Sequence, residues 1–409
     1  MRKKPELLIP AKGMEEFKTA VRYGADAVYI GGEVFSLRAA ASNFGPDEMK
    51  EAVELAHSKG VKVFVTANIL AHNGDLKEAE DYFDRISGIG PDALIISDPG
   101  MFELAGRICP SIERHISTQA NNTNYGTFLF WHRLGAKRVV CARELSLGEI
   151  KDIRDHIPDE LEIECFVHGA MCISYSGRCL LSNYFTGRDA NRGECTHPCR
   201  WTYSVSEETR PGQFLPVFEN ERGTYIFNSK DLCMVDHIPE LVDAGVDSLK
   251  IEGRMKNALY VAVCARTYRK AIDDFFESPE KYRENLEGYR EEIRKCTMRD
   301  FSTGFYFGKP DENSQIYDNN TYIKDYVYLG FAEDAQEDGS FFLHQKNKFS
   351  KGEEIEIMKT GGENVKARVL SIFDGDGLEL ESVPHPKQRV RVKLSGKAEN
   401  GDILRRRDA

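Results

Sequence analysis

Gly24-Ala-Asp-Ala-Val-Tyr-Ile30 sets a pattern that the chain repeats: a glycine, one or two small or polar residues, then a run of β-formers. Gly60-Val-Lys-Val-Phe-Val65, Gly90-Pro-Asp-Ala-Leu-Ile-Ile96, Gly135-Ala-Lys-Arg-Val-Val140 and Gly245-Val-Asp-Ser-Leu-Lys-Ile251 follow it. Glycine closes a helix in the left-handed conformation. Apolar runs of this kind suit parallel strands buried on both faces. Amphipathic helical patterns precede the glycines, as over 14–23, 46–59 and 76–89, and Pro46-Asp47-Glu48 is a helix start. Three more strands are expected at 6–11, 113–119 and 161–168, which brings the total to eight alternating with helices. This order predicts an α/β fold, a TIM-like (β/α)8 barrel over residues 1–300. A doubly wound open sheet is the structural alternative, but no GxGxxG follows the first strand, which argues against dinucleotide binding.

With 41% hydrophobic residues, the 409-residue chain can build a sizeable core. Its net charge of -11 argues against a protein that coats nucleic acid generally, though not against a local basic patch. No run approaches the roughly 18 apolar residues of a membrane helix. The opening MRKKPELLIP lacks the apolar region of a secretory signal, so the expected location is the cytoplasm, with no membrane partner. In that reducing compartment, ten cysteines read as thiols, metal ligands or redox groups rather than as a disulfide framework.

The C-terminal strand ends of a parallel barrel mark its active face. They carry Lys12, Ser36 with Arg38, Asn68, Asp98, Gln119, Arg143 with Glu144, His168, and then Lys250, Glu252 and Arg254. Several cations mixed with amides suit an anionic or carboxylated substrate.

After the seventh strand comes a connection, 169–236, far longer than ordinary βα loops of about 2–6 residues. It reads as a functional insertion on the active face. The run 164–200, ECFVHGAMCISYSGRCLLSNYFTGRDANRGECTHPCR, holds Cys165, Cys172, Cys179, Cys195 and Cys199, and Cys233 follows. Their intervals of 7, 7, 16 and 4 residues contain only one knuckle-like pair, Cys195 and Cys199, with His197 between them. Zinc favours paired short spacings. Wider spacings are compatible with a loop wrapped around an iron–sulfur cofactor, for which Cys172, Cys179, Cys195 and Cys233 would be four ligands. A nucleophilic cysteine with His168 as base is a further reading, but leaves the other cysteines unexplained.

Residues 257–297 are expected to be helical with a break near Ser278-Pro279, and to carry Cys264 and Cys296 as ordinary buried thiols. The aromatic FSTGFYFG at 301–308 opens a linker, 301–325, and is expected to pack against the barrel. Residues 326–409 change character to short alternating strands, a small all-β barrel module. One of its faces carries Lys366, Arg368, Arg389, Arg391 and Lys393, which could meet an RNA backbone, and the 405–407 arginine run is expected to be disordered.

The strings HGAMCISYSGRCLLS (168–182), RDANRGECTHPCR (188–200), NSKDLC (228–233) and SLKIEGR (248–254) together resemble the signature of the peptidase U32 family. The resemblance covers nearly the whole chain, including the C-terminal module. It implies an oxygen-independent hydroxylase with a 4Fe–4S cluster held by four cysteines and prephenate as oxygen source. The branch it is most similar to makes 5-hydroxyuridine at the wobble position of tRNA. Carried over, the ligands are Cys172, Cys179, Cys195 and Cys233, with Cys199 as the alternative. His168, Arg143, Lys250, Glu252 and Arg254 are the catalytic candidates, the three cations being suited to the donor's carboxylates. The partners implied are tRNA, its target base flipped into the barrel mouth, and a paralogous U32 protein. Alternatives are a U32-type collagenase-like peptidase, for which no GxSxG or HExxH is present, and a scaffold stapled by a metal such as zinc that binds RNA.

Overall fold

The apolar runs are strands: β1 Glu6–Pro10, β2 Ala27–Gly31, β3 Lys62–Ala67, β4 Ala93–Ile96, β5 Glu113–Ile116, β6 Arg138–Val140, β7 Glu162–Gly169 and an eighth, Ser248–Ile251. The structure, a computed structural model, describes residues 3–36, 43–172, 174–176, 178–188, 190, 193–201, 204–206, 214–216, 228–310, 315–316 and 323–408. Arg38 lies outside the described residues. Each strand pairs in parallel with its neighbour, and the eighth pairs with both β7 and β1, closing the sheet into a barrel. Closure excludes the open doubly wound alternative. Among the described residues no helix is long and apolar enough to cross a membrane.

The helices form where the sequence supplies their ends. The helix Pro46–His57 has proline in its first turn and buries Met49, Ala52, Val53 and Ala56, one face at helical spacing. At Pro99–Ile108, the Asp98 carboxylate accepts from the Gly100 and Met101 amides. Asp98, expected on the active face, is therefore a helix cap. The helix Asn73–Ile89 ends on Gly90 with φ 74°, a left-handed backbone that glycine adopts without strain. The strand expected over 113–119 stops at Ile116, because 118–120 turn into a 3-10 helix.

Inside the barrel, Leu8, Ala27, Tyr29, Phe64, Ala93 and Ile95 form an apolar cluster separate from the larger core between strands and helices. Facing it is an ionic group. Arg138 bonds Glu6 at 2.6 Å, Glu162 at 2.6 Å and Glu164 at 3.0 Å, and its guanidinium lies 5.2 Å from the Phe64 ring centre. Glu164 also accepts from Lys250 Nζ at 2.7 Å. These bonds tie β1, β6, β7 and the eighth strand together.

The insertion returns through a strand, Asp231–Cys233, antiparallel to β7 and opposite its end. Helices Ala258–Glu277, Pro279–Glu284 and Leu286–Ile293 follow, with the break at Ser278, whose side chain caps the second helix. Cys264 and Cys296 are buried. The stretch expected to be a linker begins as part of the barrel body. Phe301–Ser302 pairs with Asp231–Leu232, and buried Tyr306 donates to the Phe166 carbonyl at 2.5 Å.

Residues 326–407 form a six-stranded antiparallel sheet around its own core, and a bridge between Glu333 and Phe342 links its first and last strands. Arg405 corrects the expectation of a disordered tail. It sits in the strand Ile403–Arg407 with no exposed surface, between Glu292 of the barrel's last helix and Glu356 of the module. A buried guanidinium needs such partners, and they order the strand. The expected basic face is partly neutralised, since Arg368 pairs with Glu354 at 3.2 Å and Arg389 with Asp334 at 3.1 Å.

Burial alone would raise the Glu164 pKa, but the Lys250 and Arg138 charges outweigh it and hold the carboxyl at about 2. The folded value lies below the roughly 4.3 of an unfolded glutamate. Its stabilisation is therefore complete above that pH and is lost as pH falls towards 2. We expect Glu164→Gln to lower the unfolding free energy by about 3–5 kcal/mol near neutrality. It should also flatten the acid limb of stability between roughly pH 4 and 2, measured by urea unfolding across pH. An unchanged acid limb would show that Glu164 does not carry it.

Candidate functional site

The chain turns sharply where β7 ends. Gly169 has φ +108°, and a Cβ there would lie 2.5 Å from the Glu252 carbonyl oxygen, so only glycine lets β7 leave past the eighth strand. Ala170, Met171 and Cys172 follow directly and enter the wall of a cavity of about 150 Å³ over the barrel mouth. From the insertion come Tyr175, Cys179, Cys195, His197 and Cys199. From the barrel come Asn68, Ser117 and Gln119 on one side and Arg143, Phe166 and Lys250 on the other, with Glu252 and Arg254 beyond the eighth strand. Residues separated by more than 180 positions in sequence thus share one chamber.

Arg143 is the joint between barrel and insertion. Its guanidinium lies 4.0 Å from the Phe166 ring centre. One nitrogen donates to the Ala170 carbonyl at 3.2 Å and lies 3.9 Å from the Cys172 sulfur, and the other faces Glu252 at 3.4 Å. Lys250, 4% exposed, is neutralised by Glu164 and lies 4.6 Å from the Tyr29 ring centre. Arg254 is fixed by Ser36 at 2.5 Å, Thr66 at 3.1 Å and Asn43 at 2.8 Å. On the opposite wall, Gln119 accepts through its side-chain oxygen from Asn68 at 3.1 Å and from Ser117. Both oxygen bonds orient the carboxamide, and its NH2 makes no bond among the described residues. It is an amide donor available in the cavity wall.

Of the residues expected from the sequence, Arg143, Lys250, Glu252, Arg254, Cys172, Cys179, Cys195 and Cys199 meet in this cavity. His168 and Cys233 do not line it. His168 is 1% exposed among Tyr260, Tyr268 and Phe301, and burial drives its imidazole pKa down to about 3. Its side chain lies outside the chamber, so the structure gives it no place as a base there. The strand alternation that turns Phe166 into the cavity gives the reason: His168 and Phe166 would share a face, but a register shift between Lys250 and Ile251 intervenes at that level. Cys233 pairs across from His168, 3.8 Å from the Tyr268 hydroxyl, and burial pushes its thiol up to about 12. Lys12, another strand-end candidate, pairs with Glu16 at 3.4 Å. Tyr29 and Phe166, which flank Lys250, carried no functional signal because an aromatic residue in a strand reads as core.

Four thiols around one cavity, with a guanidinium beside one of them, are a donor set whose chemistry fits an iron–sulfur cluster. Among the described residues, no three His, Cys, Asp or Glu side chains converge tightly enough to hold a metal ion. Binding would therefore require the insertion to draw its cysteines together. Cys172 is exposed, Cys179, Cys195, Cys199 and Cys233 are half-buried, and Cys109, Cys141, Cys165, Cys264 and Cys296 are buried. In metal-free protein, a brief iodoacetamide pulse read by peptide mass spectrometry should label Cys172 first and the other cavity cysteines next. Cys233, equally half-buried but with its thiol pushed up to about 12, should lag behind them, and early labelling of Cys233 would contradict that suppression of its thiolate.

Two family models match the chain: Peptidase family U32 over residues 12–316 and the Peptidase family U32 C-terminal domain over residues 324–405. The chain is 40% identical to tRNA hydroxylation protein P1 of Bacillus subtilis, over 99% of this chain and 95% of that one. It is 38% identical to tRNA hydroxylation protein P of Escherichia coli, over 91% and 92%. It is also 39% identical to the 23S rRNA 5-hydroxycytidine C2501 synthase of Escherichia coli, over 66% of this chain and 40% of that one.

Proposed function

The chain belongs to peptidase family U32, and from that premise we propose that it is an RNA hydroxylase acting on tRNA. The observation that carries this reading is the near full-length similarity to tRNA hydroxylation proteins in a chain whose cysteines and strand-end cations share one cavity. A relative named for 5-hydroxycytidine synthesis supports the same chemical class, hydroxylation at C5 of a pyrimidine. For this chain the substrate position is C5 of the wobble uridine, where C5–H becomes C5–OH; an organic acid of prephenate type supplies the oxygen as its C–OH bond breaks, and it takes up the hydrogen and the two electrons that C5 gives up.

The cofactor in this reading is a 4Fe–4S cluster on Cys172, Cys179, Cys233 and either Cys195 or Cys199. Membership of the cavity wall supports Cys172, Cys179 and both alternatives, and the family resemblance supports Cys233. Such a cluster would supply electron transfer. The chain's own residues bind and orient. Arg143, facing Glu252 at 3.4 Å, is placed to exchange that partner for a donor carboxylate. Arg254 adds a second guanidinium to the cavity wall for the donor's other carboxylate, while Lys250, already paired with Glu164, lies between the Phe166 and Tyr29 rings. The Gln119 amide is a donor for a pyrimidine carbonyl. The family's peptidase description supports a second reading, hydrolysis of extended peptides.

Anaerobic purification should give a brown protein with iron and sulfide in equal amounts, and a colourless zinc protein would remove the cluster. Mass spectrometry of tRNA nucleosides from a strain lacking this gene and its paralogues should show loss of 5-hydroxyuridine. Complementation by Arg143→Ala should restore less than a tenth of it, taking about 1.4 kcal/mol as tenfold. Undiminished 5-hydroxyuridine in the deletion strain, with cleavage of denatured collagen by purified protein, would favour the peptidase.

A further inference from the structure

The insertion also presents aromatic side chains to solvent beside the cavity. Tyr184 is 81% exposed, Tyr175 46%, Trp201 44% and Phe185 43%, and Leu180 is 69% exposed among them. The rings are contiguous: Tyr184 and Phe185 meet edge to face at 5.1 Å, and Phe185 lies 6.0 Å from Trp201. Two elements carry them, the helix Leu181–Thr186 and the turn Pro198–Arg200 that ends at Trp201. The row adjoins the chamber directly. Tyr175, Cys179 and Cys199 line the cavity, Leu180 follows Cys179, and Trp201 stands two residues beyond Cys199.

Tyr175 reaches the cavity wall, but Tyr184, Phe185 and Trp201 do not line it. Exposed aromatic surface of this extent costs solubility without adding to the core, which marks a contact surface. Its charge selects the partner. Residues 169–201 carry Arg178, Arg188, Arg192 and Arg200 against Asp189 and Glu194, a net positive stretch in a chain of net charge -11. Arg178 and Arg188 are exposed, as is the opposing Glu194. Aromatic rings interleaved with arginines bind unpaired nucleic acid, because every base offers a face to stack on and the backbone is anionic. A target base that leaves its stack to enter a cavity also strips its neighbours of a stacking partner.

We propose that Tyr184, backed by Phe185 and Trp201, is a stacking platform for the unpaired nucleotides that flank the base entering the cavity. This rests on the RNA reading above and adds the recognition of a single-stranded loop over a paired stem, which is how RNA is distinguished where bases are splayed.

The two tryptophans of the chain allow a direct test. Trp131 is 5% exposed and Trp201 is 44% exposed, so Trp131→Phe leaves a single reporter on the platform. A synthetic stem-loop RNA should quench Trp201 saturably, and a fully paired duplex of the same stem should not. Tyr184→Ala should weaken stem-loop binding roughly tenfold and leave duplex binding unchanged, with Tyr184→Phe restoring it. Anisotropy of a labelled stem-loop on the otherwise unsubstituted chain gives the same comparison without Trp131→Phe. Equal quenching by loop and duplex, Tyr184→Ala binding within about twofold of the parent, or saturable binding to neutral lipid vesicles instead of RNA would overturn the platform. Tyr184-dependent loop binding by a protein whose deletion leaves 5-hydroxyuridine intact would uphold the platform and remove the hydroxylase reading. Lost 5-hydroxyuridine with no Tyr184 dependence would do the reverse.

Discussion

Glu164 is the residue on which the barrel and its active face both depend. It has no exposed surface and receives Arg138 from β6 and Lys250 from the eighth strand. Arg138 carries the bonding on to Glu6 of β1. A parallel barrel closes only when its last strand finds its first, and here that seam is marked by charge rather than by packing alone. Removing either cation would take from the fully buried Glu164 carboxylate one of its two partners, a loss that burial makes expensive. The same network fixes the lysine in the cavity floor between Tyr29 and Phe166. The closure of the fold and the electrostatics of the chamber are thus one arrangement.

Above that floor the chamber is completed by a segment that belongs to no strand of the barrel. Gly169 lets the chain leave β7 against the Glu252 backbone, and Arg143 binds the departing segment at Ala170. Four cysteines then arrive on the rim while Cys233, on the returning strand, stays beneath among aromatic residues. The two groups of thiols differ in surroundings: cavity wall with a guanidinium at hand in one, apolar enclosure that disfavours the thiolate in the other. A ligand set drawn from both would have to move one of them.

The C-terminal module is joined to the barrel by more than a connecting chain. Arg405 lies between Glu292 and Glu356, Arg266 reaches the Lys359 carbonyl at 2.7 Å and Asn364 at 2.8 Å, and Tyr23 donates to the Met358 carbonyl at 3.0 Å. Buried charge-assisted bonds of this kind have narrow geometry, so the module is held in a defined place on the outer helices.

Strand count, barrel class, the long insertion and the β module were all legible in the sequence, because each rests on local signals: glycine after a helix, an apolar run, a spacing of cysteines, an alternating pattern. Arg143, Lys250, Glu252 and Arg254 were legible as strand ends for the same reason. His168 was also legible as a strand end, but its side chain lies outside the chamber, since which face a strand-end side chain takes depends on a register shift against the neighbouring strand. Arg405 looked like part of a loose basic tail until two glutamates from distant segments were brought around it. Local propensity and pattern are properties of neighbouring residues and can be read along the chain. The partners of a buried charge, and the chamber into which a side chain opens, are set by residues hundreds of positions away, and only tertiary structure decides them.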